Sequence, residues 1–237
     1  MLHKSCQVGD LDIYCVSMPK TKSPQEIEIK LRVLDIAALS LLLKQLRARE
    51  TCPRTFESNT LYDTPKKDLT RRGQLIRIRI EQPAPKGKSK PSDKNSTAIL
   101  TYKGPTQESP SPKTTAKRPK TRYKIREELE LSLGSGELMT RILSALGLHP
   151  VFRYEKFRTT YAIPQIRNVK VEFDETPVGL FLELEGDFAA IDLAARRLGF
   201  SHTDYSTESY GALYIADCRR RGIKPSNMLF RPTKKLR

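Results

Sequence analysis

Charged and apolar residues alternate along a short segment that begins at residue 25, QEIEIKL. If this segment is a β-strand, Glu26, Glu28 and Lys30 share one face, and Ile27 and Ile29 share the other. Two neighbouring carboxylates repel each other unless their face points to water or a cation lies between them. The segment is therefore either an ordinary solvated strand or part of a site that binds a metal ion and a polyanion.

The same design recurs along the chain, with one face of Val, Ile, Leu and Phe and another of charged residues. The charged positions in these segments include Arg77, Arg79, Lys124, Arg126, Glu128, Glu130, Lys156, Arg158, Lys170, Glu172, Asp174, Glu183 and Glu185. For a single strand, exposure of the charged face to solvent is the simpler interpretation. Ordinary solvated faces also use Ser, Thr, Asn and Gln, however, and these residues are scarce at the charged positions.

Periodicity predicts the elements that position these residues. Strands are predicted at 25–33, 55–65, 74–81, 97–103, 122–133, 151–163, 170–175 and 179–186, and helices at 36–49, 136–146, about 187–198 and 206–220. Because few helices connect the strands, we expect antiparallel pairing and an α+β fold.

The composition predicts a single domain with basic appendages. The chain has 237 residues and a formal net charge of +16. We predict a flexible leader at 1–24, a domain at 25–216 with mobile basic loops at 83–96 and 105–122, and a basic tail at 217–237. Most of the excess charge lies in these appendages, which weakly favours contact with polyanions but more simply supports solubility.

Several classes of protein are disfavoured. The four cysteines form no CxxC pair, and the three histidines lie outside the charged segments, which argues against zinc binding, a disulfide framework and His-based catalysis. No glycine-rich phosphate loop and no GxSxG motif is present. No apolar run is long enough to cross a bilayer, and no secretory signal is evident, so we expect a cytoplasmic protein without membrane contact.

Closure of the predicted sheet into a barrel would place one face inside. Eight strands leave room for side chains or for one ligand. If helices cover outward apolar faces, the charged faces line a tunnel, where they must pair with each other, a metal and a ligand. Carboxylate oxygens suit Mg²⁺ or Mn²⁺, and Lys and Arg suit phosphate oxygens. A polyphosphate with a divalent metal ion fits such a tunnel.

The segment EIEIK at 26–30 resembles the ExExK signature of the CYTH superfamily, the triphosphate tunnel metalloenzymes. Further similar segments follow in order: NTLYDT (59–64), RIR (77–79), LTYKGP (100–105), REELE (126–130), EKFRTTY (155–161), VEFDE (171–175) and FLELEG (181–186). The resemblance covers about residues 25–215. It implies an eight-stranded antiparallel closed barrel with a charged interior and helices packed outside, which binds a triphosphate with Mg²⁺ or Mn²⁺.

The resemblance also implies roles for individual residues. The implied metal ligands are Glu26, Glu28, Glu128, Glu130, Asp174, Glu183 and Glu185, and the implied triphosphate-binding residues are Lys30, Arg77, Arg79, Lys103, Arg126, Lys156 and Arg158. Glu26, Glu28 and Lys30 form the implied catalytic group. Glu172 is either a ligand or a hydrogen-bond acceptor behind the ligands. We expect some of these residues to form structural ion pairs only, and Glu127 and Glu155 to lie on the outer face.

Within the superfamily, TLYDTP, GQLIRIR, ILTYKGP and DETPVGLFLELEG are most similar to the class IV adenylyl cyclase-like group. That similarity implies conversion of ATP to 3′,5′-cyclic AMP and pyrophosphate. The alternative is hydrolysis of the terminal phosphate of tripolyphosphate or thiamine triphosphate. A non-catalytic module for polyphosphate or nucleic acid is a third hypothesis, which interleaved carboxylates disfavour. The resemblance makes a homodimer unsurprising, and no adenine pocket is recognisable in the sequence.

Overall fold

The computed structural model describes residues 6–8, 11–13, 25–84, 96–107 and 122–230. Eight of its strands form one closed barrel: β3 (Gln25–Val33), β4 (Arg49–Asp63), β5 (Leu75–Pro83), β6 (Thr97–Lys103), β7 (Lys124–Leu133), β8 (His149–Ala162), β9 (Val169–Thr176) and β10 (Gly179–Gly186). A separate ribbon of β1 (Cys6–Val8) and β2 (Leu11–Ile13) lies within the segment 1–24, where no strand was predicted.

The strands follow the order β10-β3-β7-β6-β5-β4-β8-β9 around the barrel, and β9 closes the ring against β10. Every neighbouring pair in the ring is antiparallel, which confirms the predicted barrel. The seam between β3 and β7 is short, because Gln25–Glu28 alone pair with Lys124–Glu127. Farther along β3, the backbone of Lys30 exchanges two hydrogen bonds with Ser206, at 2.8 and 2.9 Å.

Five helices accompany the strands of the described chain: α1 (Ile36–Gln45), α2 (Asp68–Arg71), α3 (Gly136–Ala145), α4 (Phe188–Arg197) and α5 (Tyr210–Arg220). The predicted first helix was four residues too long, because Arg47 adopts a left-handed conformation with a φ of 49° and β4 begins at Arg49. The last helix begins at Tyr210, where the Ser209 side chain caps it. No helix in the described part of the chain is long and apolar enough to span a membrane.

The apolar core lies outside the barrel, between its outer face and the helices. Ile29, Leu31, Leu182 and Leu184 on β3 and β10 are fully buried against a layer that includes Ile191 of α4. The intervening residues of these strands point inward, where Glu183 lies opposite Lys30. This arrangement confirms the predicted charged interior with helices packed outside.

The C-terminal part of the described chain packs on one end of the barrel. Tyr210 of α5 and Met228 join Tyr154 and Phe181 in an apolar cluster. The backbone of Met228 donates to the carbonyl of Arg153 and accepts from the amide of Glu155, both at 2.9 Å. The predicted tail boundary at 217 therefore falls inside α5, and the fold continues to residue 230.

Several predicted features lie outside the described residues. These are residues 85–95 and 108–121, which make up most of the two predicted loops, residues 231–237 of the predicted tail, and most of the predicted leader.

Gly186, the last residue of β10, provides a test of the barrel wall. Its φ is +153°, and a Cβ atom there would lie 2.0 Å from the carbonyl oxygen of Asn168. We expect Gly186→Ala to lower the free energy of unfolding by about 3 kcal/mol, because the backbone must shift. Gly147→Ala is the matched control: its φ is +81° with no atom within 4 Å, so about 1 kcal/mol is expected. Equal losses in urea denaturation would contradict the role of this close approach.

Candidate active site

The barrel interior contains a cavity of about 200 Å³. Nearly all of the predicted site residues line it: Glu26, Glu28, Lys30, Arg77, Arg79, Lys103, Arg126, Glu128, Glu130, Lys156, Arg158, Glu172, Glu183 and Glu185. They come from seven strands, and each strand sends alternate side chains inward. Asp174 is the one predicted site residue outside this lining, and it is fully buried.

One wall of the tunnel, formed by β8, β9 and β10, has its charges paired with each other. The Arg158 guanidinium contacts the carboxylates of Glu172, Asp174 and Glu183. Asp174 Oδ2 also accepts from Lys156 Nζ at 2.9 Å and from the Tyr210 hydroxyl at 2.5 Å. These contacts make Asp174 the counter-ion of the wall, and its predicted role as a metal ligand remains untested.

The opposite wall, formed by β5, β6 and β7, holds two arginines whose hydrogen-bond acceptors are neutral, Arg77 and Arg126. Arg77 donates to the Tyr154 hydroxyl and to Thr101 Oγ1, both at 3.1 Å. Arg126 donates to the carbonyl oxygens of Gly104 at 2.8 Å and Gly73 at 2.7 Å. Neutral acceptors neutralise a guanidinium less completely than carboxylates do, so Arg77 and Arg126 attract a polyanion.

The buried Nε atoms of Arg77 and Arg79 have no hydrogen-bond partner within the described residues. The nearest carboxylate oxygens to Arg77 Nη2 belong to Glu130 and Glu128, at 3.5 and 3.8 Å. Buried donors without acceptors are unusual in folded proteins, and phosphate oxygens satisfy guanidinium donors well. The triphosphate-binding role of both arginines stays a prediction, for which these unpartnered Nε atoms leave donors available.

The ExExK residues lie between the two walls. Lys30 Nζ is 2.8 Å from Glu183 Oε1 and 3.2 Å from Glu28 Oε1, and Lys124 Nζ is 2.6 Å from the same Glu28 oxygen. Burial alone would raise the pKa of Glu28, but Lys30 and Lys124 hold that pKa well below its usual range. Glu28 is therefore a permanent carboxylate at neutral pH.

Glu26 has the opposite electrostatic character. Burial raises the pKa of Glu26, and the nearby carboxylates of Glu28 and Glu128 raise it further, although Lys103 Nζ lies 2.6 Å from Glu26 Oε2. A divalent cation would relieve this repulsion, and glutamate oxygens are the ligands that Mg²⁺ and Mn²⁺ prefer. Glu26, Glu28 and Glu128 thus fit the composition of a metal site. In the described part of the chain, no three such side chains already converge with metal-binding geometry.

Five further residues of the site were not among the predicted site residues: Glu57, Lys124, Tyr154, Lys170 and Tyr210. Lys124 and Lys170 share the charged faces of β7 and β9, so strand alternation alone was sufficient to identify them. Glu57 has no charged residue two positions away on either side in TFESNTLYD, and Tyr210 reaches the tunnel from a helix. Neither of these two carries a comparable sequence signal.

The two glutamates predicted on the outer face are not fully exposed. Glu155 Oε1 accepts from Arg153 Nη2 at 3.0 Å, and Glu155 Oε2 accepts from the Phe230 amide at 3.2 Å. Glu127 is also half-buried, because it packs beside Gly104. Packing of neighbouring chain segments over the outer face explains this partial burial.

A family model described as the CYTH domain matches residues 24–209. The chain belongs to the CYTH family. The lumen described above is accordingly the triphosphate tunnel of that family. A protein of Methanocaldococcus jannaschii, provisionally named an adenylate cyclase, is 26% identical over 168 residues, or 70% of this chain and 79% of the relative.

Solved structures confirm the fold of this CYTH protein. A Vibrio parahaemolyticus structure, provisionally described as an adenylate cyclase, superposes with a TM-score of 0.60 at 18% identity and covers 81% of this chain and 98% of that one. A Hippeastrum protein that was provisionally named an adenylyl cyclase is described as having a dominant triphosphatase activity. Its structure superposes with a TM-score of 0.52 at 18% identity and covers 84% of this chain and 97% of that one.

Glu57 tests the paired wall of the tunnel. Its carboxylate is 2% exposed and lies 3.5 Å from Lys156 Nζ, 3.6 Å from Arg158 Nε and 3.7 Å from Arg79 Nε. We expect Glu57→Gln to lower the free energy of unfolding by about 3 kcal/mol, because buried cations lose a counter-ion. Glu81→Gln is the control, since the more exposed Glu81 pairs with Arg79 at 3.1 Å and should cost below about 1 kcal/mol. If urea denaturation gave similar losses of unfolding free energy for the two variants, the proposed role of Glu57 as a buried counter-ion would be refuted.

Tyr154 provides a test of the electrostatics of the tunnel at alkaline pH. Burial alone would raise the pKa of its phenol, but Arg77, Lys156 and Arg79 lower that pKa below its usual value of about 10. As pH rises, the phenol becomes a phenolate, and its negative charge repels a polyanion. We expect tripolyphosphate affinity to fall at alkaline pH in the wild type, and to fall less in Tyr154→Phe. Identical affinity–pH profiles measured by calorimetry would show that Tyr154 does not titrate in this range.

Proposed function

We propose that this CYTH protein is a metal-dependent enzyme that converts ATP to 3′,5′-cyclic AMP and pyrophosphate. The observation that carries the proposal is the composition of the enclosed cavity. Incompletely neutralised cations, Arg77 and Arg126, occupy one wall, and the mutually repelling carboxylates Glu26, Glu28 and Glu128 lie beside them. The provisional name of the Methanocaldococcus jannaschii relative supports a cyclase.

Cyclisation requires the ribose 3′-oxygen to attack the α-phosphorus while the bond from that phosphorus to the oxygen of the leaving pyrophosphate breaks. Negative charge moves onto the leaving oxygens, and fixed cations stabilise it. We assign this role to Arg77, Arg79, Lys103 and Arg126, which line the cavity. A bound Mg²⁺ or Mn²⁺ at the glutamates supplies Lewis-acid stabilisation of the same charge.

The 3′-hydroxyl must also lose its proton. A lining carboxylate that does not coordinate the metal ion can accept this proton, and we assign that role to Glu26. Lys30 holds Glu28 ionised beside it. These contacts support the predicted catalytic group of Glu26, Glu28 and Lys30.

A triphosphatase is the second candidate, because the Hippeastrum protein with the related fold has a dominant triphosphatase activity. The same cations and carboxylates would act on a water molecule attacking the terminal phosphate. A purely binding role is less well supported, since carboxylates buried among the cations weaken the attraction of a polyanion.

Product analysis tests this proposal. We expect the purified protein with ATP and Mg²⁺ or Mn²⁺ to form cyclic AMP and pyrophosphate. Formation of orthophosphate from ATP, tripolyphosphate or thiamine triphosphate would instead support the triphosphatase hypothesis. The absence of any product would leave the non-catalytic binding module as the remaining hypothesis.

Substitutions test the assigned residues under the same conditions. We expect Glu28→Gln to reduce turnover at least 100-fold, on the order of the cost of removing a metal ligand or an essential charge. We expect Arg79→Ala to raise KM or lower kcat roughly tenfold or more, because a charge-assisted phosphate contact is lost. Glu127→Gln, on the outer face, is the control and should retain wild-type rates. Unchanged kinetics in both tunnel variants would remove these residues from the site.

A further inference from the structure

The inward faces of three adjacent strands change from charged to apolar towards one end of the tunnel. The inward residues, taken in the same direction along the barrel, are Glu57, Asn59 and Leu61 on β4, Arg79, Arg77 and Leu75 on β5, and Lys156, Tyr154 and Phe152 on β8. Charged residues predominate inside this lumen, and three of its apolar residues, Leu61, Leu75 and Phe152, lie on neighbouring strands at this end.

The strand register places Leu61 and Phe152 at one level and Leu75 one inward position beyond them. Leu61 lies opposite Phe152 on β8 and opposite Arg77 on β5, and Leu75 is the next inward residue of β5. All three line the cavity and are half-buried. They form an apolar slot at the end of the charged tunnel.

The first turn of α5 bounds this slot. Gly211 lines the cavity beside Phe152, and a Cβ atom at Gly211 would be 3.5 Å from Phe152 Cε1. With no side chain at this position, the backbone of α5 approaches the ring edge closely. The slot is therefore bounded by one aromatic ring, two leucines and bare backbone.

We propose that this slot binds the uncharged, planar base of a nucleoside triphosphate whose phosphates lie on Arg77, Lys103 and Arg126. The inference rests on the proposed function, which requires an organic triphosphate. Binding sites for planar ligands combine such apolar surfaces with a few polar groups. Inorganic tripolyphosphate has no part that would use the slot.

The charges around the slot favour a neutral group over a cationic one. Lys103 lies directly opposite Leu75 in the β5–β6 register, and Arg77 is two residues away on the same face. Arg126 Nη2 donates to the carbonyl of Gly73, two residues before Leu75. These cations repel the positively charged thiazolium ring of thiamine and tolerate a neutral nucleobase.

Packing of α5 does not account for all of the slot. Leu61 and Phe152 belong to the apolar cluster that includes Leu213 and Tyr214 of α5. Leu75, in contrast, belongs to none of the three apolar clusters of the described residues, although it lines the cavity. Leu75 is therefore the residue at which ligand binding and helix packing can be separated.

The test compares Leu75→Ala with Ile76→Ala, its neighbour on the outer face of β5. Titration calorimetry measures the binding of ATP, thiamine triphosphate and tripolyphosphate. No metal is added, because metal-dependent turnover would interfere with the measurement. We expect Leu75→Ala to lower the affinity for ATP roughly tenfold, because an apolar contact with the base is lost. The affinity for tripolyphosphate should change by less than about twofold. Ile76→Ala should leave both affinities unchanged.

Three outcomes would overturn the inference: equal weakening of ATP and tripolyphosphate by Leu75→Ala, unchanged ATP affinity in that variant, or tighter binding of thiamine triphosphate than of ATP by the wild type. Leu75→Met, which keeps an apolar side chain, should restore ATP affinity. Thermal unfolding of each variant reports on the fold separately. Cyclic AMP formation is measured separately. If the wild type forms no cyclic AMP but Leu75→Ala selectively weakens ATP binding, the proposed cyclase activity is refuted and the proposed base-binding slot is retained.

Discussion

The structure depends on the mutual neutralisation of charges that its barrel encloses. An isolated buried charge is prohibitively costly, and even a good ion pair only roughly offsets its desolvation. The wall of β8, β9 and β10 meets this constraint within the protein, since Asp174 lies among Lys156, Arg158 and Tyr210. The wall of β5, β6 and β7 meets it only in part, because Lys103 and Lys124 pair with carboxylates whereas Arg77 and Arg126 donate to neutral oxygens. Stability then comes from the outer apolar layer, and the inner surface is free to specialise in recognition.

The sequence predicted much of the fold, because strand alternation shows which residues share a face. Alternation cannot show which face is inside, since a solvated sheet and an inverted barrel give the same pattern. The scarcity of neutral polar residues on the charged faces favoured the inverted barrel, and the resemblance of eight segments to one family supplied the closure. Confirmation comes from particular neighbours: fully buried Ile29 and Leu184 face the helices, and the charges between them face inward.

The contacts within the site were beyond prediction because they depend on register between strands that are distant in the chain. Glu26 contacts Lys103, and Arg158 contacts Glu183, yet no local pattern links either pair. Glu57 and Tyr210 enter the charge network from segments without charged periodicity. The basic composition after residue 216 likewise gave no indication that Met228 belongs to the fold. Met228 is attached to β8 by backbone hydrogen bonds, which any residue except proline can make.

The short seam between β3 and β7 has a consequence for how the barrel moves. Along this junction only Gln25–Glu28 are paired with the neighbouring strand, whereas β4 and β8 are paired along nearly their whole length. Local opening of a protein follows its least cooperative contacts, so the wall separates most easily here. The carboxylates of Glu26 and Glu28 therefore lie at the part of the barrel wall that the fewest strand-pairing hydrogen bonds hold together. Amide hydrogen exchange in β3 is accordingly expected to be fastest beyond Glu28.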